Sequence, residues 1–227
     1  MNKDELLKKA DALMKEGTAG AREAARIYAR LLESDPVNAD LLSKANEAFY
    51  LGTDWEETDE GAYKDEIVSR QLIERAVRLQ PDNAAVHREL GEFWFLWAEG
   101  RKEYYEKAAQ EYKRALELDP QDAWSAIHLA NSRRVLNITI DQAIEYLESA
   151  RSDRPDQDWL LSRLSSMYYW KKDYVKALEM ALLARSKLPE ELDLMRKRVR
   201  LKESIDKSID RLKLLIENDD AENRQES

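Results

Sequence analysis

The sequence predicts an all-helical fold built from a repeated helix pair, and three observations carry that prediction. Charged residues make up 37% of the 227 positions, with only six Gly and five Pro; Ala, Leu, Glu, Lys and Arg dominate, the composition of long exposed helices. Alternation of apolar and polar residues, the mark of a half-buried strand, never extends over a useful stretch. All five prolines, Pro36, Pro81, Pro120, Pro155 and Pro189, form one series with intervals of 45, 39, 35 and 34 residues.

Each proline marks a helix terminus, because the residue before a proline is pushed out of the helical region. The residues leading in are alike: Leu-Leu-Glu-Ser-Asp before Pro36, Val-Arg-Leu-Gln before Pro81, Ala-Leu-Glu-Leu-Asp before Pro120. Just after come Asn38, Asn83, Asp122 and Asp158, whose side chains can accept from the first free N–H groups of the next helix. Every proline therefore sits in a short turn between two helices.

A period near 34 in an all-helical chain resembles the tetratricopeptide repeat family, whose pattern places Trp, Leu-Gly, Tyr, Ala, Phe and Pro at fixed spacing. The third repeat matches best, with Leu90-Gly91 and Trp94 on its first helix and Ala108, Tyr112, Ala115 and Pro120 on its second. The fourth gives Leu129-Ala130, Ala143, Leu147, Ala150 and Pro155; the fifth gives Leu164-Ser165, Tyr168, Ala177, Ala181, Ala184 and Pro189. The second gives Ala45-Asn46, Phe49, Ser69, Ile73, Ala76 and Pro81, and the first Ala24, Tyr28, Leu31 and Pro36. The resemblance implies an α-solenoid, a right-handed superhelix of about five helix pairs, with repeats over residues 5–38, 39–83, 84–122, 123–157 and 158–189. Small residues let paired helices approach, large ones fill the gap beside them, and several pairs must stack before a core closes.

Two repeats exceed the period. The second carries eleven extra residues, mostly in the acidic segment 51–63, and the third carries five around 97–105. Both read as longer helices or tolerated loops, with a partner-specific lid as the alternative for the acidic segment. Residues 190–217 place Leu194, Leu201, Ile205, Ile209, Leu212 and Ile216 on one helical face. They are expected to form a capping helix over the last repeat; a self-association helix, and hence a homo-oligomer, is the alternative. Residues 218–227 form a polar tail.

Composition also limits function. A net charge of −9 disfavours non-specific nucleic-acid binding, which rests on Lys and Arg against phosphates. No run of about 18 apolar residues exists, so no membrane span is expected, and the acidic N-terminus lacks a signal pattern; a cytoplasmic location is the expectation. The chain has no cysteine and two histidines, His87 and His128, in no metal-binding spacing. No nucleophile elbow or phosphate loop occurs. Neither an enzyme nor a cofactor is expected, with a helical-solenoid enzyme subunit as the alternative.

In the family, first helices line the concave side. The resemblance implies a peptide-binding face at Arg88, Phe95, Trp124, His128, Asn131, Arg134, Trp159, Arg163 and Tyr169. Glu47, Glu89 and Glu92 make the first half of that face acidic, whereas its fourth- and fifth-repeat half is aromatic and basic. Trp, Tyr and Arg are the residues most enriched at binding hot spots. The expected partner is a peptide segment of another protein. Chaperone-binding members hold a terminal carboxylate with a clamp of Lys, Asn and Arg, but Glu92, His128 and Trp159 occupy three of its positions here, so that full clamp is not expected.

Overall fold

The protein is described by a computed structural model covering residues 2–53, 59–134, 136–151, 158–188 and 196–225. Among these residues there are eleven α-helices and no strand. The chain divides into two compact units, Met1–Asp119 and Pro120–Ser227.

The first unit holds α1 (Lys3–Leu13), α2 (Gly17–Ser34), α3 (Ala39–Gly52), α4 (Asp59–Leu79), α5 (Ala84–Leu96) and α6 (Lys102–Leu118). Each helix packs on the next, and α3 also packs on α5, which is the neighbour pattern of a solenoid. The second unit holds α7 (Ala123–Asn131), α8 (Ile140–Arg151), α9 (Asp158–Trp170), α10 (Tyr174–Lys187) and α11 (Arg196–Gln225). It repeats the same pattern, with α7 also packing on α9.

Local chemistry sets the helix boundaries. Asn2 and Glu5 form a reciprocal capping box on α1. Asn38, Asn83 and Asp122 cap α3, α5 and α7 by accepting from Leu41, Ala85 and Trp124 N–H groups. Pro36, Pro81 and Pro120 lie in turns, while Pro155 and Pro189 lie outside the described residues. Asp158 is the first residue of α9, and its carboxylate accepts from the Trp159 N–H at 3.0 Å.

The core is rich in alanine, with Ala24, Ala45, Ala76, Ala108, Ala115 and Ala143 at 2% exposure or less. Small side chains at these positions let helix axes approach. Gly91 shows how closely: a Cβ there would stand 2.7 Å from the Tyr112 ring. The tyrosine hydroxyl then donates to Glu92 at 2.9 Å. His87 is also structural, its ring nitrogens lying 2.7 Å from Glu111 and 2.8 Å from the Pro81 carbonyl.

Of the extra residues of the third repeat, Trp97 and Ala98 are core and 99–103 are exposed. Trp97 caps α5 and is 1% exposed. The chain turns through Glu99 and Gly100, at φ 42° and 86°, and α6 begins at Lys102. Arg101 bonds back to the Trp97 carbonyl and reaches Glu66 at 3.4 Å. Of the acidic segment 51–63, residues 54–58 lie outside the described residues, and residues from Asp59 onward belong to α4.

In the second unit α11 packs on α10. Leu201, Ile205, Ile209 and Leu212 are buried, and the Arg185 Nε donates to Asp206 at 2.7 Å. Ile216 is half-buried; Leu194 lies outside the described residues.

Candidate functional site

Seven of the nine residues expected on the binding face lie in the second unit. Arg88 and Phe95 belong to the first, on α5. Arg88 donates to neighbouring Glu89 at 3.2 Å, and Phe95 meets Tyr105 edge-on at 5.9 Å.

The site begins at the α7 N-terminus. The Asp122 carboxylate accepts from the Trp124 N–H at 3.1 Å and the Ser125 hydroxyl at 3.0 Å. This cap fixes the first turn and presents Trp124, which is 47% exposed. One turn later His128 lies beneath it, buried, with ring centroids 5.0 Å apart. Asn131 is exposed at the last position of α7.

The repeat pattern puts Arg134 on this first helix, but α7 ends at Asn131 and Arg134 projects from the following turn, exposed. The turn closes by hydrogen bonds from Ser132 N–H to His128 and from Ile138 N–H to Arg133. It places the Arg133 guanidinium 4.7 Å over the Trp170 ring at the end of α9, a cation–π contact.

On α9, Trp159 is 44% exposed and Trp170 43%. Arg163 stands one turn from Trp159 and is half-buried. Burial pulls its pKa below the ordinary arginine value, with no carboxylate among the causes. Further along, Tyr169 lies 5.9 Å from the Tyr174 ring and under the Arg211 guanidinium of α11 at 5.0 Å.

The arginines of this unit whose side chains are described fall into two groups. Arg151 on α8 pairs with Glu148 at 3.1 Å, and Arg185 on α10 pairs with Asp206 at 2.7 Å. Arg133, Arg134, Arg163 and Arg211 sit on or beside α7, α9 and α11, and none of them forms an ion pair with a carboxylate among the described residues. In a chain of net charge −9, three of these four stand near a half-exposed tryptophan: Arg133 and Arg211 near Trp170, and Arg163 one turn from Trp159. Such a surface attracts a negatively charged ligand and offers flat apolar rings to its neighbours.

Sequence reasoning missed Arg133 and Arg211. Arg133 adjoins Arg134, which could have drawn attention to it; nothing in the sequence pairs Arg211 with Tyr169. Glu89, expected on the open face, is 3% exposed, because α3 packs on α5 and covers it. Among the described residues no helix is long and apolar enough to cross a membrane.

No protein-family model and no curated protein sequence matches the chain. Solved structures do. TTC0263, a thermophilic TPR protein in Thermus thermophilus, is 18% identical with a TM-score of 0.58, the match covering 88% of this chain and 98% of that one. Pseudomonas aeruginosa pilF is 16% identical with a TM-score of 0.58, covering 95% and 90%. MamA is 21% identical with a TM-score of 0.52, covering 78% and 93%. The chain carries the all-α tetratricopeptide-repeat solenoid fold.

Proposed function

We propose that this tetratricopeptide-repeat chain is a non-enzymatic scaffold that binds a peptide segment of another protein on the α7–α9 face. The observation that carries this reading is that Arg163, one turn from Trp159, and Arg133 and Arg211, near Trp170, have no carboxylate partner among the described residues. The segment has an acidic group held by Arg163, an apolar or aromatic side chain against Trp159 or Trp124, and a backbone amide within reach of Asn131. Arg163 is the best placed of the cations. It is half-buried, so a carboxylate meeting it does so in a partly dry site where a charge-assisted bond is stronger than in open water.

Selection of phage-displayed peptides on the intact protein tests this. The reading expects acidic residues and an aromatic to be enriched, with enrichment abolished on Arg163→Ala and retained on Lys113→Ala, a change at an exposed residue of α6. Enrichment that is basic in character, or identical on both variants, contradicts it.

A second reading, self-association through α11, draws on Leu214, which is 61% exposed beside half-buried Leu215 and Ile216. Sedimentation equilibrium of the protein and of Leu214→Glu separates the two: a dimer that dissociates in the variant favours association, and a monomer in both removes it.

A further inference from the structure

Between α9 and α11 lies a cavity of about 130 Å³. From α9 it is lined by Ser165, Ser166, Tyr169 and Trp170, and from α11 by Ser208, Arg211 and Leu212. Tyr169, Trp170 and Leu212 supply an apolar wall. An apolar cavity of roughly 150 Å³ holds one benzene ring, so the space suits a single six-membered ring.

The polar groups are selective. Ser165 donates its hydroxyl proton to the Ala177 carbonyl at 2.8 Å, Ser166 to Ser162 at 3.1 Å, and Ser208 to Ser204 at 2.8 Å. A hydroxyl has one proton and two lone pairs. With the proton committed to the backbone, each oxygen is left only to accept. The matching ligand group is a neutral donor, since Arg211 at the rim opposes an ammonium. A phenol meets both requirements: its ring fills the apolar part and its O–H donates to a serine oxygen. Arg211, without a carboxylate partner among the described residues, is free to hold an anion just outside.

We propose that this cavity receives a tyrosine side chain of the bound segment, with an adjacent carboxylate of the segment held by Arg211. The inference rests on the groove reading above and adds α11 to the binding site. Trp170 lies seven residues beyond Arg163 on α9, roughly 10 Å along the helix, which about three residues of extended peptide span. An acid on Arg163 therefore sets the tyrosine about three positions away.

The test uses the full chain and three small probes: p-cresol, toluene and 4-hydroxyphenylacetate. The readout is the Trp170 indole N–H resonance, assigned with Trp170→Phe. The expected result is a saturable shift with p-cresol, weaker binding of toluene, and about fivefold tighter binding of 4-hydroxyphenylacetate than of p-cresol. That advantage vanishes in Arg211→Ala. Ser166→Leu and Ser208→Leu, which fill the cavity from opposite helices, abolish the shift while thermal stability holds. No saturable shift, or one unchanged in both filled variants, overturns the proposal.

A blocked pentapeptide, Asp-Ala-Ala-Tyr-Asp, separates this inference from the groove reading. Binding that depends on Arg163 but not on the peptide's tyrosine overturns the cavity proposal and leaves the groove. Binding that depends on the tyrosine and Ser166 but not on Arg163 supports the cavity and removes the groove reading.

Discussion

The indole N–H of Trp97 donates to the side-chain oxygen of Asn46 at 3.1 Å, across 51 positions of sequence. The Ser69 hydroxyl donates to the same oxygen at 3.0 Å, and all three residues are 1% exposed. One buried acceptor thus ties α3, α4 and the end of α5 together. Asn46→Ala deprives two buried donors of it. Each unsatisfied donor costs about 1–3 kcal/mol, so urea unfolding is expected to show a loss of about 2–4 kcal/mol. A loss below about 1 kcal/mol would mean that the two donors find other partners at little cost.

Gly91→Ala should strain the α5–α6 contact. The new methyl would meet the Tyr112 ring at 2.7 Å and the Ala108 carbonyl at 3.2 Å, and Tyr112 is fully buried, with no room to swing. Overpacking of this kind costs about 1–3 kcal/mol, against a helix-propensity gain of about 1 kcal/mol. Thermal melts are expected to show a net loss, and Tyr112→Phe in the same background should not restore it. A stabilised Gly91→Ala variant would mean the helices separate freely here.

Glu89 makes stability depend on pH. Burial raises its carboxyl from an ordinary 4.5 to about 7, with like-charged Glu92 adding to the rise and Arg88 and the Ser43 hydroxyl opposing it. Its second oxygen is buried with no hydrogen-bond partner among the described residues. Below pH 4.5 both folded and unfolded chains hold the proton, and the group costs nothing. From there to about pH 7 the unfolded chain releases a proton that the folded protein keeps, so stability falls, by up to about 3 kcal/mol. Glu89→Gln should match the wild type near pH 4.5 and exceed it in chemical denaturation at about pH 8. A difference that does not change with pH would show that the carboxyl ionises normally in the folded state.

The parts of this structure that the sequence disclosed are those set by neighbours along the chain. Asn38, Asn83 and Asp122 lie within three residues of the N–H groups they cap, and the apolar spacing of Leu201, Ile205, Ile209 and Leu212 marks the face α11 buries. Trp97 was not legible as core, because its partner Asn46 lies far away in sequence. The face at α7–α9 was legible only as a direction. Helical phase says which way Glu89 and His128 point, but not that α3 covers one and Trp124 overlies the other. The early end of α7, which leaves Arg134 on a turn, and the approach of Arg211 to Tyr169 depend on packing that no local pattern records.

Removing residues 190–227 should expose the α10 face that Leu201, Ile205, Ile209 and Leu212 cover. End repeats of a solenoid need a polar outer surface, the role expected of α11. Light scattering is expected to show aggregation of the truncated chain, and thermal melts a lower midpoint. A monomeric truncation of unchanged stability would show that α11 is not a cap.

Arg163 is the residue on which the proposed function depends most. The decisive measurement is titration calorimetry of one acidic, aromatic peptide, taken from the phage selection, against the wild type, Arg163→Ala and Lys113→Ala. Loss of a charge-assisted bond of roughly 1.5–3 kcal/mol predicts affinity about ten- to a hundredfold weaker for Arg163→Ala and unchanged for Lys113→Ala. Stability should barely change, since Arg163 makes no ion pair with the described carboxylates and its burial already disfavours the charge. Equal affinity in all three proteins would contradict the account and place the binding surface away from α7 and α9.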